Sequence, residues 1–193
     1  NLNKLDKSFE WLNKSISFET ESDAHKQVKG FSHFAIAQNY LKQRELADTE
    51  KHLVEALRIF EEVGDHKNQG TAYLLMHSLY VKNRFYDQAE EILKKSIDIF
   101  KREKSDFLTF AAQIAHVHFH IEQEDTLKTI EQIDTLAIYA KHYEGISEYH
   151  KGILNQLLTF KHIAQKNEDS ATHYLKISKE ISDRTGIPDL KMR

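Results

Sequence analysis

Three histidines, His116, His118 and His120, crowd one short stretch of a chain that carries twelve in all. On a helix, His116 and His120 share a face four residues apart, a spacing at which two imidazoles can chelate a metal ion. His118 points to another side, no carboxylate stands at a matching spacing, and the absence of cysteine removes thiolate ligands. The pattern reads as ordinary surface or partly buried imidazoles, so neither a metal nor a cofactor is expected. Histidine protonation offers pH sensitivity in principle, but no spacing singles out a switch. Carboxylates occur in adjacent pairs, Glu61/Glu62 and Glu90/Glu91, on helix surface where charge partners one turn away solvate them. The chain has no Gly-rich phosphate loop, no Gly-x-Ser-x-Gly elbow and no His-Glu-x-x-His motif. No catalytic residue is assigned: the expectation is a non-enzyme, and a part in a phosphatase would need residues that are not present.

The remaining polar groups suited to recognition are amides and hydroxyls. Gln38, Asn39 and Asn155 each offer a donor and an acceptor from one side chain, which is what an extended peptide backbone requires. Such groups act together only if regular elements hold them on one surface, and the composition says which elements. The 193 residues contain six glycines and one proline, too few turn formers for a β-rich fold and consistent with long helices joined by short connections. Charged residues make up 30% of the chain, spread evenly, with 27 Lys+Arg against 30 Asp+Glu. The resulting balance of −3 gives no cationic surplus to neutralise phosphates, so direct nucleic-acid binding is not expected. No apolar run approaches a membrane span, and the lack of cysteine suits a reducing cytoplasm.

A shift of 40 residues aligns Gly30 with Gly70, Tyr40 with Tyr80, Leu53 with Leu93, Ala56 with Ser96, and Phe60 with Phe100. Within each period the apolar spacing is helical. Phe34, Ile36, Ala37 and Tyr40 form one run and Leu53, Ala56, Leu57 and Phe60 the next, with polar breaks between. The reading is nine helices at about 2–19, 24–42, 46–63, 67–82, 86–102, 106–122, 126–141, 145–164 and 168–184. Leu2, Leu5, Phe9, Leu12 and Ile16 give the first of these one apolar stripe, as in a lone second helix whose partner precedes Asn1. An N-terminal part of the natural protein is therefore expected to be missing.

This pattern resembles the tetratricopeptide motif. Tyr73, Met76 and Tyr80 match its first helix, with His77 where a small residue is usual, and Ala89, Leu93 and Ser96 match its second. The match is strong over 30–102, the signature weakens over 106–141, and Ala171, Leu175 and Ser178 recover it after a loop two residues longer. The expected fold is all-α, a single domain over 1–193 in which antiparallel helix pairs form a right-handed superhelix with an inner groove lined by first helices. Residues expected on that wall are Phe31, Phe34, Gln38, Asn39 and Leu41, then Thr71, Leu74, Ser78 and Val81. Ala111, Ile114, His118, Ile121, Leu154 and Asn155 continue the set. The alternative is that these positions pack against neighbouring repeats.

Over 30–102, the runs Phe-Ser-His-Phe-Ala-Ile-Ala-Gln-Asn-Tyr-Leu, Glu-Ala-Leu-Arg-Ile-Phe and Ser-Ile-Asp-Ile-Phe are similar to the Rap/NprR/PlcR-type quorum-sensing receptors of Bacillus-like bacteria. That resemblance implies a cytoplasmic receptor whose groove captures a short signalling peptide, with asparagines of the Asn39 and Asn155 kind holding its backbone. It places the output, DNA binding or control of response regulators, in an N-terminal region that is not recognisable in this chain. The expected function is thus the peptide-binding sensor domain of a signalling protein or transcriptional regulator. A second reading is an adaptor that binds a folded partner or associates with itself as a homodimer through apolar end surfaces.

Overall fold

Apolar residues run consecutively through Ala72, Tyr73, Leu74, Leu75 and Met76, so a helix built from them is apolar on most sides and needs neighbours on several. The segment that follows is different: Ala89, Leu93, Ser96, Ile97 and Phe100 form a single buried stripe, backed by surface ion pairs Glu90–Lys94 and Glu91–Lys95 at 2.6 and 2.7 Å. A helix apolar all round alternating with a one-sided helix is the chemistry of stacked hairpins. The computed structural model of the chain, which describes residues 2–17 and 22–186 with side chains from Lys7 onward, has this alternation.

Among the described residues the elements are α1 (Leu2–Ile16), α2 (Asp23–Gln43), α3 (Leu46–Glu62), α4 (His66–Lys82), α5 (Tyr86–Arg102), α6 (Asp106–Glu122), α7 (Thr126–His142), α8 (Glu148–Ala164) and α9 (Glu168–Thr185), with no strand. The expected end of the first helix at residue 19 and the side chains of Leu2 and Leu5 lie outside the described residues. The chain forms two compact units, 1–105 and 106–193.

In the N-terminal unit, α1 packs on α2, α2 on α3, α3 on α4 and α4 on α5. Its core joins Ala37, Leu41, Leu53, Ala56, Phe60, Ala72, Met76 and Leu79, so the second helix of one hairpin packs against the first of the next. Close approach is enforced at Gly30 and Gly70. A Cβ at Gly30 would lie 2.9 Å from Cε1 of Phe60, and one at Gly70 would lie 2.6 Å from Cε1 of Phe100. The glycines and phenylalanines that align at a shift of 40 are therefore contact pairs within each hairpin. His77, the departure from a small residue, is buried with Nδ1 3.0 Å from the Ala89 carbonyl oxygen, which gives a ring in a backbone-sized slot a polar partner.

In the C-terminal unit, α6 packs on α7, α7 on α8 and α8 on α9. Phe110, Val117, Ile133, Leu136, Ile153 and Leu157 form its core. The weakened signature has a packing cause: the position of Gly70 is taken by Phe110, and that of Phe100 by Ala140.

The connections recur too. The α2–α3 turn closes with Arg44 N–H bonded to Leu41 O and Glu45 N–H to Tyr40 O, the paired bonds of a Schellman ending. The same pair closes the turns after Phe60, Tyr80, Phe100, His120 and His162. The α7–α8 connection departs from it: Tyr143 leaves the helix with ψ 93, and α8 starts at Glu148 because Ser147 accepts the His150 N–H as its cap.

Candidate functional site

Positions on the first helices were expected to face a ligand, and α2 and α4 carry them in the N-terminal unit. Phe31 is 42% exposed and sits edge-on to Phe60, ring centroids 5.5 Å apart. Phe34 is half-buried against the core, Gln38 is exposed and Asn39 half-buried. Leu41 differs from the expectation: at 8% exposure it belongs to the core with Leu53 and Phe60, because that side of α2 turns toward α3 and α4. On α4, Thr71, Leu74, Ser78 and Val81 are all half-buried. The two hydroxyls turn back onto their own helix, Thr71 Oγ1 donating to Lys67 O at 3.0 Å and Ser78 Oγ to Leu74 O at 3.2 Å. Their protons are committed, and what they offer outward is an acceptor oxygen.

In the C-terminal unit, Ala111, Ile114, His118 and Ile121 on α6 are half-buried, as are Leu154 and Asn155 on α8. Burial pushes the His118 imidazole below its ordinary pKa, only partly opposed by Glu122 one turn on, so it stays neutral. Asn155 Nδ2 donates to Lys151 O at 2.7 Å, which commits one of its two amide N–H groups and leaves the other and the amide oxygen. His116 and His120 are buried, with Nε2 atoms 3.3 Å apart.

Other groupings escape a search along single helices. A polar cleft of about 380 Å³ lies in the N-terminal unit, lined by His66, Gln69 and Tyr73 of α4 and Lys95, Asp98 and Arg102 of α5. The spacings 66–69–73 and 95–98–102 are helical, so each half is legible as a polar stripe; their meeting is not. His33 of α2 and His52 of α3 bring Nδ1 atoms to 3.0 Å. At the start of α6, Phe107 and Phe110 set their rings edge-on to His150 at centroid distances of 5.0 and 5.1 Å. Tyr139 donates to Asp106 Oδ1 at 2.6 Å; burial first, then this bond, pushes its phenol up to about 12. Of the paired glutamates, Glu62 is ion-paired with Lys26 and Arg58 and Glu91 with Lys95 on the surface, while Glu90, paired with Lys94, is half-buried, which departs from the exposed position expected of it. No described helix is long and apolar enough to cross a membrane.

Comparison with known proteins places this arrangement. No family model and no curated protein sequence matches the chain. Solved structures do. Aspartyl phosphate phosphatase F from Bacillus subtilis superposes with TM-score 0.79 at 14% identity, over 96% of this chain and 49% of that protein. The apo form of RapI gives 0.67 at 18% identity over 87% and 60%. The nearly identical TPR-like repeats of a Podosopora anserina kinesin light chain give 0.70 at 15% over 96% and 90%. The chain spans about half the length of the Bacillus phosphatase. By fold it is an all-α helical-repeat protein of the tetratricopeptide kind. Within that class it resembles the Rap-type receptors.

Proposed function

We propose that this chain is a peptide-binding module, the sensory part of a cytoplasmic bacterial signalling protein or transcriptional regulator, and that it binds rather than catalyses. The observation that carries this reading is the surface of α2 and α4. There an exposed ring (Phe31), a half-buried ring (Phe34) and an exposed amide (Gln38) on α2 stand with a half-buried leucine (Leu74) and two hydroxyls (Thr71, Ser78) on α4 whose protons are held by their own helix and whose oxygens can still accept. Apolar pockets spaced by backbone-pairing groups suit an extended peptide. The likeness in fold to the Rap-type proteins supports the same reading. Asn39 is a further position offered to the ligand on this unit; His118 and Asn155 are positions of the same kind on the C-terminal unit, taken by itself.

The test is calorimetric titration of short hydrophobic or basic peptides. Gln38 is exposed, so Gln38→Ala leaves the fold intact and removes about one hydrogen bond, weakening a bound peptide by roughly three- to tenfold. Absence of saturable binding to the unsubstituted chain, or indifference to this substitution and to Phe31→Ala, rejects the assignment. The adaptor reading is favoured by the exposed apolar side chains Trp11, Leu127, Ile138, Ile163 and Leu175. A folded partner or a second copy covering them would appear as a concentration-dependent mass in light scattering.

A further inference from the structure

The polar cleft of the N-terminal unit opens on a different side of α4 from the residues offered to a peptide. At about 100° per residue, Tyr73 in the cleft stands about 160° around the helix from Thr71 and about 140° from Ser78. The cleft is a second surface, independent of the peptide reading. Its volume of about 380 Å³ lies within the range of about 300–1,000 Å³ typical of small-molecule sites. We propose that it binds a free acidic α-amino acid of the size of glutamate.

The order of charges selects the ligand. Lys95, Asp98 and Arg102 follow one another at spacings of three and four on one face of α5, and so present positive, negative and positive charge to the cleft. The complement is negative, positive, negative. An acidic α-amino acid carries that order as α-carboxylate, ammonium and side-chain carboxylate. Its length fits as well. The two carboxyl carbons of an extended glutamate, four bonds of about 1.5 Å apart, are separated by about 5 Å. A charge-assisted bond of about 2.8 Å at each end brings the span to about 11 Å. Lys95 and Arg102 are two helical turns apart, or about 10.5 Å.

These charges line one cleft without closing on each other. Among the described residues, the side chains of Glu61, Asp98 and Arg102 form no ion pair or hydrogen bond, so a molecule that bridges them meets uncommitted partners. Lys95 gives one N–H to Glu91 at 2.7 Å and keeps two. Glu61 in the last turn of α3 and Arg102 in the last turn of α5 meet at the end of the cleft where His66 begins α4. There the α-carboxylate takes Arg102, and the ammonium lies between Glu61 and Asp98. The side-chain carboxylate reaches Lys95, with the Tyr73 hydroxyl beside it as a neutral donor. Ile99, only 5% exposed, is the apolar floor under the ligand's methylenes. Gln69, whose oxygen is 3.4 Å from His66 Nδ1, keeps its own N–H groups for the ligand. A simple anion is disfavoured by this lining, since both carboxylates repel it.

The experiment follows backbone amide signals by nuclear magnetic resonance as L-glutamate is added to the unsubstituted chain at fixed ionic strength. The expected result is saturable shifts confined to the ends of α3 and α4 at the cleft and to 95–102 of α5. L-glutamine lacks the second carboxylate and N-acetyl-L-glutamate lacks the ammonium. Each should bind roughly fivefold or more weakly, the scale of one lost charge-assisted bond. Asp98 is exposed, so Asp98→Asn keeps the fold. It should weaken L-glutamate by a similar factor and strengthen N-acetyl-L-glutamate, because the carboxylate that holds the ammonium repels an anion. Lys101→Gln, an exposed neighbour outside the cleft, should change L-glutamate binding by less than about twofold, as screening of exposed charges requires. Shifts that do not saturate or that map elsewhere, equal affinity for the three compounds, or an Asp98→Asn effect of one sign on both ligands overturns the assignment.

Discussion

A single methyl group has opposite consequences at two helical glycines. Gly70 lies under the Phe100 ring with room for no Cβ, the nearest carbon being 2.6 Å from where one would sit, whereas at Gly152 the nearest atom is Ile181 Cγ2 at 3.4 Å. Gly70→Ala forces the ring or the helix to move, and overpacking of that kind costs about 1–3 kcal/mol. Gly152→Ala gains helix propensity without a clash and should stabilise by up to about 1 kcal/mol. Urea unfolding of the two variants gives opposite signs, and Phe100→Leu should recover part of the loss in the first by vacating the ring's place. Titration at His33 is the second residue-scale effect. Its pKa in the fold is lowered from 6.5 to about 4, so the unfolded chain binds the proton more readily between those values. The stabilisation from keeping His33 neutral is complete above about pH 6.5 and is lost as pH falls toward about 4. Urea midpoints should fall across that window, and His33→Gln should flatten the part of the slope this ring contributes.

At the scale of elements, the hairpin turns depend on residues that pay a steric cost. Arg44, Arg84, Glu124 and Lys166 take φ of 63, 62, 57 and 56 at equivalent points between first and second helices, where a Cβ is disfavoured. Arg84→Gly should stabilise by about 0.5–1 kcal/mol, the relieved strain exceeding the added freedom of the unfolded chain. Thermal unfolding measures it, and a lowered midpoint would show that Arg84 contributes contacts outweighing its strain. These turns explain why helix ends were legible in the sequence. A Schellman ending follows the last apolar residue at fixed distance, so 86–102 and 106–122 were read as they stand, and 46–63 and 67–82 to within one residue. The start of α8 was read three residues early, because Tyr143, Glu144 and Gly145 look no different from a helical continuation until Ser147 caps His150. The candidate site was less legible. Leu41 shares its helix with Phe34 and Gln38, and only the rotation of α2 against α3 and α4 decides that it is core. Thr71 and Ser78 are legible as hydroxyls on the expected wall, but not that each proton returns to a carbonyl four residues back. His33 and His52 stand 19 positions apart on different helices, a separation to which no single-helix spacing rule is sensitive.

Across the molecule, a residue's role follows its place in the array as much as its type. Leu53, Leu93, Ile133 and Leu175 occupy one repeat position on the second helices, and the first three have no exposed surface while Leu175 is 55% exposed. For Leu53 and Ile133 the cause is visible: Met76 and Leu79 cover the first, Ile153 and Leu157 the second, each pair from the next first helix. No described helix follows α9 to do the same for Leu175. One substitution made at two equivalent positions therefore separates packing from exposure. Ile133→Ala removes buried methylenes and leaves a cavity, with a loss of about 2–5 kcal/mol. Leu175→Ala should change stability by no more than about 0.5 kcal/mol, the range of surface changes. Paired urea curves test this directly. A loss at Leu175 comparable to that at Ile133 would mean that its side chain is covered in solution, and in that event light scattering on Leu175→Glu identifies the cover. A fall in mass on that substitution points to a second copy of the chain, and an unchanged monomer mass points to covering from within the same chain.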